Sequence, residues 1–68
     1  MKLNIGIQLR KLRNKHNYSQ QAVAAYLEIS RNAYISWESN KADLTISKLE
    51  LICDLYNIDL LTLLSHQI

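Results

Sequence analysis

The stretch that most limits what this chain can become runs from Ser19 to Lys41, SQQAVAAYLEISRNAYISWESNK. Spaced at about 100° per residue, its apolar positions describe two short amphipathic helices separated by a break of about three residues. In the first, Val23, Ala24 and Leu27 share a face. Ser19 stands where an N-cap hydroxyl can accept a bond from an early backbone N–H. Ile29 falls in the break, and Ser30 is the N-cap candidate for the second helix.

That second helix divides its faces sharply. Counted from Arg31, the residues Ala33, Tyr34 and Trp37 fall near about 200°, 300° and 240°, whereas Arg31, Asn32, Ile35 and Ser36 fall near about 0°, 100°, 40° and 140°. One side is core and the other carries groups suited to reading a surface. Arg offers paired donors to guanine O6 and N7, Asn can bridge adenine N6 and N7, and an apolar side chain can touch the thymine methyl. The spacing of Gln20, Ala24, Leu27, Ile29, Ser30-Arg31, Trp37-Glu38 and Lys41 resembles the helix-turn-helix of the Cro and phage-repressor (Xre-like) transcription regulators.

At 68 residues the chain reads as one domain, 1–68, near the lower size at which a core stabilises a fold alone. It has no Pro, one Gly and no β-branched alternation, so an all-helical fold has little competition. Cys53 is the single cysteine and sits in a helical apolar pattern. A disulfide framework is thereby excluded within one chain, zinc lacks a ligand set, and Cys53 is expected in the core. Residues 1–41 carry seven basic residues against Glu28 and Glu38, a net +5, whereas residues 42–68 carry Lys48 against four acids, a net −3. That division points to a polyanion on the N-terminal side, although a solvated first helix explains Lys11 and Lys15 equally well. No signal peptide and no apolar run of about 18 residues is present, which makes the cytoplasm the expected location.

Taken in order, Asn4 can cap a first helix from about Ile5 to His16, with Ile5, Leu9 and Leu12 on one face and Gly6 weakening it only slightly. His16 reads as a solvated residue at that helix's end. After the central pair, Ser39-Asn40-Lys41 makes the exit, with Asn40 in the left-handed conformation. Thr45 caps a fourth helix to about Tyr56, burying Ile46, Leu49, Ile52, Cys53 and Tyr56, and Asp59 caps a short fifth from Leu60 to about Ser65.

The family resemblance covers about residues 5–64 and implies an all-α, five-helix phage-repressor-like domain with the helix-turn-helix at helices 2 and 3. It implies a recognition helix at about 30–38 in the major groove of double-stranded DNA, with Arg31, Asn32 and Ser36 facing bases; Ile35, between Arg31 and Asn32 in angle, is expected to join them against a thymine methyl. Gln20 and Ser30 match positions that contact phosphate at helix N-termini, and Asn40 and Lys41 match a second backbone clamp. Arg13 and Glu38 match a partly buried ion pair joining helices 1 and 3. Three residues depart from the family pattern. Glu28 occupies the turn position where Gly is usual, which requires a left-handed Glu or a different turn. Tyr34 replaces an aliphatic residue, so its hydroxyl must reach water or a partner. Ala22 leaves the capping box after Ser19 open.

The function expected is sequence-specific DNA binding by a small transcriptional regulator on a palindromic operator, with no cofactor, metal or small-molecule ligand. An enzyme is not expected, because no paired carboxylates, nucleophile constellation or Gly-rich phosphate loop is present. The alternative is a protein-interaction module of the same fold, such as an antitoxin or anti-regulator. Tyr18, Tyr26, Tyr34 and Trp37 could suggest a platform for single-strand stacking, but Tyr34 and Trp37 fall on the core face. Leu51, Leu55, Leu61 and Ile68 lie outside the assigned core, which points to a homodimer built from the C-terminal half.

Overall fold

Four helix starts in this chain are set by a side-chain oxygen, and each cap is formed in the computed structural model, which describes residues 5–65. Ser19 Oγ accepts from the Ala22 N–H at 3.0 Å, Ser30 Oγ from Ala33 at 3.1 Å, Thr45 Oγ1 from Lys48 at 3.3 Å and Asp59 Oδ1 from Thr62 at 2.7 Å. These caps open α2 (Gln20–Tyr26), α3 (Arg31–Glu38), α4 (Ile46–Tyr56) and α5 (Leu60–Leu64), which follow α1 (Gly6–Lys15). The architecture is the expected all-helical, five-helix one.

The helix ends obey an equally local rule. Asn17, Glu28, Asn40 and Asn57 have φ of 59°, 59°, 60° and 53°, one left-handed residue after each of the first four helices. Each is followed by a residue whose N–H reaches five positions back, as Tyr18 does to the Arg13 carbonyl at 3.0 Å and Ile29 to Ala24 at 3.0 Å. The same closure joins Lys41 to Ser36 at 2.9 Å and Ile58 to Cys53 at 3.1 Å, so the last carbonyls of each helix are satisfied. Asn tolerates this backbone better than any residue but Gly. Glu28 does not, and its left-handed φ shows that the turn keeps its geometry and accepts the strain.

Packing places α3 against both α1 and α2, while α4 and α5 pair with each other. Leu9, Leu12, Val23, Ala24, Leu49, Ile52 and Leu63 are almost fully buried, and Cys53 lies among them. Tyr34 and Trp37 fill the space under α3, with the Lys48 ammonium 5.6 Å from the Trp37 ring. His16 remains exposed at the end of α1, its ring 5.0 Å from that of Tyr56.

Two expectations need correction. Ile46 is 57% exposed instead of buried. It is the first residue of α4, and side chains lean toward the helix N-terminus, so it overhangs the end of the layer that Leu49 and Ile52 fill. Leu55, placed outside the core by its spacing, is half-buried against it. Asn4 lies outside the described residues, as does Ile68; Ile5 occupies the N-cap position of α1 without a side-chain acceptor. The acceptor comes instead from Asn40, whose Oδ1 takes the Gly6 N–H at 2.8 Å across the fold.

Gly6 also has a larger role than its helix position suggests. A Cβ there would collide with the Glu38 backbone carbonyl oxygen, would stand 2.7 Å from the Glu38 carbonyl carbon, and would come 3.0 Å from Asn40 Oδ1. The absence of a side chain lets α1 start directly against the end of α3. Gly6→Ala is therefore expected to destabilise the protein by about 1–3 kcal/mol, reversing the small gain that Ala brings in an open helix. Glu28→Gly should stabilise it by up to about 1 kcal/mol through relief of the left-handed strain. Chemical denaturation of both variants checks the two signs.

Candidate nucleic-acid interface

The surface of interest begins with the cap at Ser30, whose extended backbone (φ −71°, ψ 156°) ends the turn and starts α3. Arg31 and Asn32 in the first turn are exposed, and Ile35 and Ser36 one turn on are half-buried. Behind them Tyr34 and Trp37 are 1% and 5% exposed, so the helix cannot rotate about its axis without pulling two large rings out of the core. The face carrying Arg31 and Asn32 is thus fixed by what the opposite face buries. Ser36 Oγ donates to the Ala33 carbonyl of its own helix at 2.6 Å, which leaves its oxygen lone pairs as the outward-facing function.

At the far end of α3, the Ser39 hydroxyl donates to the Ile35 carbonyl at 2.9 Å, and Lys41 is exposed beyond the left-handed Asn40. Asn40 Oδ1 is engaged by Gly6, so the part of that side chain left for another partner is its amide N–H group. Gln20, first residue of α2, also has its side chain engaged: Nε2 donates to Glu38 Oε1 at 3.3 Å. What Gln20 leaves to the outside are the early backbone N–H groups of α2, which have no partner within the helix.

Glu38 is the junction beneath this surface. Its side chain is 1% exposed, and Arg13 grips both oxygens, Nε to Oε2 at 2.7 Å and Nη2 to Oε1 at 3.3 Å. Arg13 Nη1 donates in addition to the Tyr18 carbonyl at 3.1 Å, tying in the turn between α1 and α2. Burial alone would push the Glu38 carboxyl up; hydrogen bonds from Arg13 and Gln20, with the Tyr34 hydroxyl, outweigh it and hold the group below its ordinary value. Of the two outcomes expected for the Tyr34 hydroxyl, water or a partner, the structure turns it toward a partner, Glu38. The hydroxyl is buried against Glu38 without the geometry of a full hydrogen bond, and burial, then the carboxylate, pushes its pKa up. Tyr56 is likewise pushed up to about 12, chiefly by burial.

Two residues at this junction escaped the sequence reading. Arg10 approaches Glu38 Oε1 to 3.6 Å with its side chain 58% exposed, and its place one turn before Arg13 on α1 was the available signal. Gly6, the single glycine of the chain, signalled a close approach that only the fold identifies. Of the remaining sequence candidates, Leu51 is 43% and Leu61 77% exposed on α4 and α5, on the half of the chain that carries the acidic residues. Among the described residues no group of three or more His, Cys, Asp and Glu is placed to hold a metal ion. No helix of those residues is long and apolar enough to cross a membrane.

Two short capped helices joined by a turn with one left-handed residue, Glu28, the second locked by its rings with a polar face outward, constitute a helix-turn-helix. A family model described as helix-turn-helix matches residues 9–63, most of the chain. The chain belongs to the helix-turn-helix family of Xre-like, Cro and phage-repressor DNA-binding regulators. No curated protein and no solved structure matches it significantly.

Because Glu38 titrates below its ordinary 4.5, its contribution to stability is complete above about that pH and is lost as pH falls through the lower folded value. Glu38→Gln should therefore flatten the acid limb of a stability profile while lowering stability at neutral pH. Arg13→Met, which strands the buried carboxylate, should cost roughly 3–5 kcal/mol, against little for Lys11→Met. Thermal melts of the three variants between pH 3 and 7 test this (the range brackets the ordinary carboxylate value).

Proposed function

We propose that the protein is a sequence-specific regulator that reads double-stranded DNA with α3 in the major groove. The observation that carries this reading is the fixed orientation of α3, which buries Tyr34 and Trp37 and thereby turns Arg31 and Asn32 outward at its start. Arg31, Asn32 and Ser36 are the base-reading residues, and Ile35, half-buried beside them, meets a thymine methyl. Ser30, Lys41 and the backbone N–H groups at Gln20 hold phosphates on either side, with the Asn40 amide beside Lys41. Arg31→Ala is expected to cost about 1–3 kcal/mol on the preferred site and to relax preference at one base pair, whereas Lys41→Ala weakens all sequences alike. Sites selected from random duplexes supply the preferred sequence, and thymine-to-uracil replacement along it locates the Ile35 contact. Equal losses on preferred and random DNA for both variants would remove these roles.

A single recognition helix reads few base pairs, and family dimers place two such helices about 34 Å apart on a palindromic site. Our reading is a homodimer of this kind, formed through the C-terminal half with Leu51 and Leu61 as its exposed apolar anchors and Leu55 beside them. Its acidic character keeps that surface off the phosphates. Leu51→Lys with Leu61→Lys is expected to give a folded monomer with much weaker operator binding; Leu55 is left intact because it also packs on the core. Sedimentation with and without the operator checks it, and a wild type that stays monomeric at high concentration in both conditions rejects the dimer.

A second reading, a domain of this fold that docks a protein partner, is favoured by an open apolar groove of about 240 Å³ lined by Tyr18, Ala22, Val23, Tyr26 and Leu55. Binding of generic duplex DNA that weakens steeply with salt separates the two.

A further inference from the structure

We propose that Arg10 is a DNA-phosphate contact of this domain, held in readiness by the buried Glu38 carboxylate; this rests on the DNA-binding reading above. One carboxylate faces two guanidinium groups. Arg13 takes both oxygens at bonding distance and is itself largely buried, its side chain 14% exposed, so it alone neutralises Glu38. Arg10 Nε stops at 3.6 Å from Oε1, beyond hydrogen-bond length, with more than half its side chain in solvent. The pair therefore leaves one positive charge in excess, and it is carried by the outward member.

The position of that charge is set by a second contact. Gln20 Nε2 donates to the same Glu38 Oε1 at 3.3 Å, so the Arg10 guanidinium stands beside the residue that begins α2 and the helix-turn-helix. A long, exposed ion pair contributes little to stability, so Arg10 can leave Glu38 at small cost while Arg13 and Gln20 keep the buried carboxylate satisfied. A phosphate offers the planar fork of donors a stronger, two-pronged partner than the shared carboxylate oxygen does. Arg13 has no such freedom, because its departure would strand Glu38.

The test is a salt titration of duplex binding by wild type, Arg10→Gln, Arg10→Lys and Lys11→Gln, on the preferred site and on random duplex, with a thermal melt of each. Arg10→Gln is expected to weaken both duplexes by the same factor and to reduce the slope of log K against log salt by about one, with the melting temperature unchanged. Arg10→Lys keeps the slope, and Lys11→Gln keeps it too. An unchanged slope for Arg10→Gln overturns the proposal, as does a loss accompanied by a lowered melt that Arg10→Lys shares, since that marks a structural role. Should wild type itself show no salt-dependent duplex binding, the DNA reading fails and this one with it; wild-type binding that Arg31→Ala impairs and Arg10→Gln does not removes Arg10 alone.

Discussion

A carboxylate taken out of water must be compensated on the spot, and in this fold the junction of α1, α2 and α3 is arranged around doing that for Glu38. Its partners come from three separate stretches of chain: Arg13 from α1, Gln20 from α2, and Tyr34 from its own helix. Because the compensation is geometric, α1, α2 and the end of α3 have one mutual arrangement in which the charge is satisfied. A fully apolar junction of the same volume could be as stable, but it would not penalise small slips in the angle between α2 and α3 in the same way. That angle sets how the starts of α2 at Gln20 and of α3 at Arg31 stand relative to each other.

The rest of the architecture is built from local rules. Three of the connections repeat one three-residue frame, a left-handed residue, an apolar or aromatic residue and an N-cap: Asn17-Tyr18-Ser19, Glu28-Ile29-Ser30 and Asn57-Ile58-Asp59. Each frame closes one helix, inserts a side chain at the edge of the core and opens the next. The fold thereby dispenses with glycine at every left-handed site and keeps its single glycine for a place where the backbones of α1 and α3 meet.

This division explains what could be read from the sequence. Caps and helix ends are short-range, so Ser19, Ser30, Thr45, Asp59 and the left-handed Asn40 were legible from neighbouring residues, and so were the two faces of α3. Ile46 was misplaced because periodicity gives a direction around a helix and says nothing about where the opposing layer stops. The contacts of Gly6, the Asn40 side chain and Arg10 were not legible, since their partners lie 32, 34 and 28 positions away along the chain and are brought close only by the docking of α1 on α3. The charge partition between the two halves was visible, but its sharpest feature, two arginines on one carboxylate, was not.

The hydrogen bond from Gly6 to Asn40 gives this protein a spectroscopic handle of its own. As the one glycine, Gly6 contributes a single backbone amide signal of its type, and that amide is sealed by a side chain at the exit of α3. Its exchange with deuterated solvent follows the opening of the α1–α3 junction and nothing more local, because the acceptor belongs to another helix's terminus. Occupancy of the α3 surface by any ligand that steadies that terminus is thus recorded at the start of the fold's first helix, in one resolvable resonance.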